Sequence, residues 1–152
     1  MRKFLAALLL LMAPAAPAFC QCPSLNTDKG TDAASITVPS AGTYNLWVRL
    51  WAPDSVNDSV TLQLDGTVCG VDAGDGGLPA KTWTWVNYKN GDPAQTMSSS
   101  LAAGAHSLEI LGREDGVRVD RVMAISGGCA PVGTGSNCLS PPAAPRNLRK
   151  NP

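Results

Sequence analysis

The sequence predicts an all-β fold in which two antiparallel sheets pack as a sandwich. Three observations predict it. Between about Ala33 and Ser126, apolar and polar residues alternate at period two in short runs. Turn-forming steps such as Asp65-Gly66 and Asp115-Gly116 separate those runs. No segment holds a 3.6-residue apolar stripe over three turns, so there is no helix to cover a parallel sheet.

The elements follow in order. Ser35-Ile36-Thr37-Val38 is a first short strand, ended by Pro39-Ser40-Ala41-Gly42. Thr43 to Trp51 is the clearest strand: Tyr44, Leu46, Val48 and Leu50 lie on one face, Asn45, Trp47, Arg49 and Trp51 on the other. Val60, Leu62 and Leu64 alternate with Thr61, Gln63 and Asp65 before the Asp65-Gly66 turn, and Thr82 to Tyr88 reads as one further strand. Leu108 and Ile110 lead into Arg113-Glu114-Asp115-Gly116, whose Asp-Gly step suits a tight hairpin turn before the chain returns at Val117. In that last strand Val117 and Val119 share a parity, whereas Val122 and Ala124 have the opposite one. A bulge near Asp120-Arg121 accounts for the change.

Composition bounds the function. The chain has 152 residues, with 12 Lys+Arg against 12 Asp+Glu. Such a balance argues against nucleic acid as a partner, because neutralising several phosphates takes a basic face. One His, two Glu and no Gly-x-Ser-x-Gly elbow leave little for catalysis. Ten Asp do not by themselves select a glycosidase pair, and the chain reads as non-catalytic.

Residues 1–20 read as a secretory signal peptide: Arg2-Lys3, an apolar run from Phe4 to Met12, then Ala16-Pro17-Ala18. The run is too short to serve as a stable membrane anchor, and the sequence before Cys20 and Cys22 does not suit a lipoprotein. Export to the periplasm or the extracellular space makes paired cysteines the expectation. Cleavage after Ala18 leaves five of them, and cleavage after Cys20 leaves Cys22, Cys69, Cys129 and Cys138. Cys129 and Cys138 flank a loop of small, turn-forming residues and are paired here; Cys22 with Cys69 then follows by elimination. Residues 21–140 form the binding module. Residues 141–152 are Pro-rich and read as a linker or, through Pro-Ala-Ala-Pro-Arg-Asn-Leu, as the start of a fibronectin type III-like domain.

Two stretches carry a family resemblance. Val38-Pro39-Ser40-Ala41-Gly42-Thr43-Tyr44-Asn45-Leu46-Trp47-Val48-Arg49 has a small turn, Gly-x-Tyr, alternating apolar residues and Arg. Leu101-Ala102-Ala103-Gly104-Ala105-His106-Ser107-Leu108-Glu109-Ile110, with Gly116 to Val122, has an Ala-Gly-x-His-x-Leu segment and an Asp-bearing last strand. In this order the two resemble carbohydrate-binding modules of families 6 and 35, in the galactose-binding-like jelly-roll superfamily. The resemblance implies a jelly roll and matches Asp120 to an aspartate that helps hold structural calcium. Calcium takes six or more oxygen ligands, and here Asp28 and Asp32 precede the first strand without a Glu. Calcium at Asp120, or pairing of Asp120 with Arg118, Arg121 or a backbone donor, are the alternatives.

A sugar site combines an aromatic platform with a few hydrogen-bonding side chains. Trp47, Arg49 and Trp51 share the non-core face of their strand, where a covering loop would hide them. Trp83 and Trp85 also share a face, and because a sandwich needs large side chains inside, at least one of them is expected in the core. Arg113 and Asp115 stand at the expected hairpin tip, where related modules contact ligand. His106, without a second His, reads as structural. The chain therefore reads as a secreted carbohydrate-binding module for a polysaccharide or surface glycan. The alternative is a structural or adhesive domain that binds other domains or subunits of an extracellular assembly. Without residues 1–20 and the tail, 7 basic residues face 12 acidic ones, which favours neutral hydroxyl-rich ligands or calcium over phosphates.

Overall fold

The computed structural model describes residues 30–66 and 68–139. Residues 1–20, expected to be a signal peptide, the Pro-rich residues 141–152 and the expected Cys22–Cys69 pairing lie outside the described residues. Ten strands follow in chain order: β1 Thr31–Val38, β2 Gly42–Trp51, β3 Ser59–Leu64, β4 Val68–Gly74, β5 Trp83–Val86, β6 Tyr88–Lys89, β7 Asp92–Thr96, β8 Ser98–Leu101, β9 Gly104–Gly112 and β10 Arg118–Ile125. One sheet runs β1-β9-β3-β4-β6-β7 and the other β10-β2-β5, with β8 pairing the first half of β2. Every ladder is antiparallel, as the sandwich expectation requires.

The alternation in β2 sets the layers. Tyr44, Leu46, Val48 and Leu50 are buried, while Asn45, Trp47, Arg49 and Trp51 are half-buried on the outer side. From the facing sheet, Ile36, Val38, Val60, Leu62, Leu64 and Leu108 complete the core. Each such aliphatic side chain contributes about 1.5–3 kcal/mol by leaving water. Asp65 and Gly66 both take positive φ, 50° and 63°, the geometry a two-residue hairpin turn needs.

The expected bulge is present. The β10–β2 register shifts between Val119 and Arg121, so Val119 opposite Leu50 and Val122 opposite Val48 both face the core. Asp120 is the extra residue.

Two expectations about the connections are corrected. Thr82–Tyr88 is two strands: β5 pairs β2, whereas β6 pairs β4 in the other sheet. Asn87 makes the switch, and its carbonyl accepts the Met97 N–H. The Asp115-Gly116 turn is not a hairpin tip. β9 pairs β1 and β3 while β10 pairs β2, so the chain crosses between sheets there. A tight Asp-Gly turn fits both geometries, and local sequence does not distinguish them.

Candidate functional site

The outer face of the β10-β2-β5 sheet gathers most of the expected ligand residues. Cross-strand register sets Trp51 between Trp83 on β5 and Arg118 on β10, and Arg49 between Trp85 and Arg121. Residues directly opposite in an antiparallel pair share a face. The expectation that Trp83 or Trp85 enters the core is therefore corrected. Aliphatic side chains fill the core together with Tyr44 and Met97, and both indoles stand outside it, Trp83 being 38% exposed.

Cations stack on this aromatic surface. The Arg49 guanidinium lies 5.2 Å from the Trp83 ring centroid, and that of Arg118 lies 4.7 Å from the Trp51 ring centroid. The Arg49 side chain is 13% exposed, and its Nη1 stands 3.6 Å from Asp120 Oδ2. That distance is an ion pair beyond hydrogen-bond range, which agrees with Arg49 Nη1 having no hydrogen-bond partner among the described residues. Trp47 Nε1 is likewise buried without one.

A loop covers one end of the face. The Cys129–Cys138 disulfide forms as expected and closes a turn over nine residues of separation. Trp85 Nε1 donates to Gly133 O at 3.1 Å, and Asn45 Nδ2 donates to Gly127 O at 3.1 Å. Gly135, at φ 83°, sits so close that a Cβ there would fall 2.5 Å from Met123 Sδ and 3.0 Å from Trp85 Cζ2. Met123 lies opposite Trp47. The loop thus seats over the Trp47, Trp85 and Met123 end, and the Trp51, Trp83 and Arg118 end is left open.

Arg113 and Asp115 are not brought to this face. Arg113 is held by Asp72 at 3.2 Å, Asp75 at 3.3 Å and Glu114 at 2.7 Å, and it also donates to Ser59 Oγ. Burial alone would lower the pKa of Arg113, but the three carboxylates outweigh it and raise it. Asp115 lies in the inter-sheet crossover. Glu114, which the sequence reading left out, accepts the Asp58 and Ser59 N–H groups, and the buried Asp58 accepts that of Leu78. Carboxylate oxygens of Asp58, Asp75 and Glu114 lie within 4.8 Å of one another. The Arg113 guanidinium already brings positive charge to this group.

Asp120, the expected calcium ligand, stands apart from that group beside Arg49. With Asp32, Val119 and Arg121 it lines an open groove of about 410 Å³ where the edge strands β1 and β10 meet. His106 donates from Nδ1 to Asp65 Oδ2 at 2.7 Å and from Nε2 to Ala102 O at 2.8 Å, in the structural role expected of it. Sequence reasoning passed over Arg118 and Arg121 as ligand residues. The signal was present: once the bulge resets the phase, both have the parity opposite to Val119 and Val122 and must face outward.

No family model matches the chain, and no curated protein matches it. Among similar solved structures is a cycloisomaltooligosaccharide glucanotransferase of Paenibacillus sp. complexed with cycloisomaltoheptaose. It is 18% identical, with a TM-score of 0.45 over 62% of this chain. This chain spans 13% of that one's length, and a likeness of this size carries no argument about ligand or activity.

Proposed function

We propose that the chain is an exported, non-catalytic module that binds a polysaccharide or surface glycan on the outer face of the β10-β2-β5 sheet. The observation that carries this reading is Trp83, 38% exposed and directly across from Trp51 at the uncovered end of that face. The exposed part of the indole gains nothing from folding and is free for contact, and a flat ring complements the apolar C–H face of a pyranose. Arg49, beneath Trp83, fixes the platform from one side.

The test is affinity electrophoresis of the secreted protein through gels containing single polysaccharides, with Trp83→Ala as the matched variant. Retardation by at least one polysaccharide is expected, and Trp83→Ala is expected to weaken it roughly tenfold, about 1.4 kcal/mol, while keeping a cooperative melting transition. If no polysaccharide retards the protein, or Trp83→Ala is retarded as strongly as the parent, the reading fails and the protein-binding adhesive alternative takes its place.

A further inference from the structure

A cavity of about 120 Å³ lies between the two sheets, on the side of the sandwich away from β1 and β10. The connections there account for it. β5 and β8 pair different halves of β2, and the chain between them, β6–β7, belongs to the facing sheet. The seam is closed by Met97, Ser99 and Leu101, which share a parity and point inward. Met97 and Leu101 are buried, but the middle position is a serine and leaves space that a leucine would fill. Leu46, Leu62, Leu64, Val71, Met97 and Leu108 make the walls of that space. Close-packed interiors hold few voids larger than a water molecule, and an apolar one is a poor home for water.

Polar groups complete the lining: Lys89, Thr96, Ser98 and Ser99. Lys89 and Ser99 are half-buried, and neither side chain has an ion pair or hydrogen bond among the described residues. Asp92, opposite Lys89 in register, is occupied by the Ala94 N–H and the Gln95 side-chain amide. The cavity thus carries an ammonium without a counter-ion and a hydroxyl without an acceptor. Part-buried donors of this kind gain most from an acceptor that a ligand brings, and a charged one gains most of all.

We infer that this cavity binds a short straight-chain carboxylate, its alkyl end among the leucines and its carboxylate on Lys89 and Ser99. An apolar cavity of about 150 Å³ holds benzene, so this one suits an alkyl tail of about four or five carbons. The site is independent of the glycan reading, whose platform lies on the opposite face of β2.

The experiment is an NMR titration of the secreted protein labelled at its methionine methyl groups. Met97 reports on the cavity and Met123, on the outer face, is the internal control. The probes are butanoate, pentanoate, hexanoate and octanoate, with hexanol as the uncharged counterpart. Parent, Ser99→Leu and Lys89→Gln proteins are compared. The Met97 resonance should move saturably while that of Met123 stays in place. Affinity should rise roughly fourfold per methylene and level off by hexanoate, once the cavity is full. Hexanoate should bind at least threefold tighter than hexanol, an advantage that Lys89→Gln removes. Ser99→Leu should abolish the Met97 shift and raise the melting temperature, because it fills the void. An unmoved Met97, equal shifts of Met97 and Met123, equal binding of acid and alcohol, or affinity still climbing at octanoate each overturns the inference. So does a folded Ser99→Leu protein that binds as the parent does. If Ser99→Leu does not fold, the chain-length series and Lys89→Gln decide alone.

Discussion

Glu114 reaches from the β9–β10 crossover to the start of β3 and accepts the Ser59 N–H at 2.8 Å. The same carboxylate oxygen accepts the Asp58 N–H at 2.6 Å. Both donors belong to buried residues, and a buried donor left without a partner costs its full desolvation. Glu114→Ala is expected to lower the unfolding free energy by about 1–3 kcal/mol. Glu114→Gln keeps an acceptor oxygen and should lose less. Urea denaturation of both variants checks this; an unchanged midpoint in Glu114→Ala would show that the crossover is not anchored through this residue.

The His106–Asp65 pair predicts a pH window. Its hydrogen bond to Asp65 raises the His106 pKa above the ordinary 6.5. Burial alone pushes Asp65 up, but the hydrogen bonds from His106 and the Ser107 N–H outweigh it and hold the carboxyl below 3.8. A raised folded pKa at His106 gives stability that is complete below pH 6.5 and lost as pH climbs through the folded value. The lowered Asp65 value gives stability present above 3.8 and lost as pH falls below it. Melting temperature should therefore decline just above pH 6.5, and His106→Gln should flatten that decline. An identical profile in the variant would place the titration elsewhere.

Opening the Cys129–Cys138 loop should uncover Trp85. Closing a short loop in the denatured chain is worth about 2–3 kcal/mol on the chain-entropy account. Cys129→Ser/Cys138→Ser should raise acrylamide quenching of tryptophan and shift the emission to the red. Gly135→Ala should do the same with the disulfide intact, since its Cβ has no room against Met123 and Trp85. Quenching equal to the parent's in both variants would mean that the loop's seat on Trp85 does not depend on either feature.

Asp120 separates a side-chain role from a backbone one. Its ion pair with Arg49 is part-exposed and long, so Asp120→Ala should cost less than about 1 kcal/mol. Deleting Asp120 removes the bulge and leaves Val119 and Val122 two positions apart, on the same face of a regular strand. The deletion should therefore keep cooperative melting. A deletion variant without a cooperative transition would show that β10 needs its extra residue.

The sandwich, β2 with its buried and outer faces, the bulge and the Cys129–Cys138 pair were all legible, because each rests on parity or on short loops. The strands β4, β7 and β8 left weaker traces: VCGVDAG, DPAQT and SSSL lack the regular alternation of β2. The outward placement of Trp83 and Trp85 was hidden because size argues for burial, whereas cross-strand register with Trp51 and Arg49 decides it. That register is non-local. So is the carboxylate cage of Arg113, whose partners come from β4, the loop after it and the crossover.

The bulge in β10 has a consequence for how the domain can change over time. Ordinary strands offer one free position for every one committed to the interior, but here two adjacent codons, those of Asp120 and Arg121, both specify solvent-side residues. Substitutions at either can accumulate without repacking, so the electrostatic character of one surface is open to drift and selection while the interior stays fixed. A lineage built on this scaffold can acquire new partners by rewriting a few letters of a single strand.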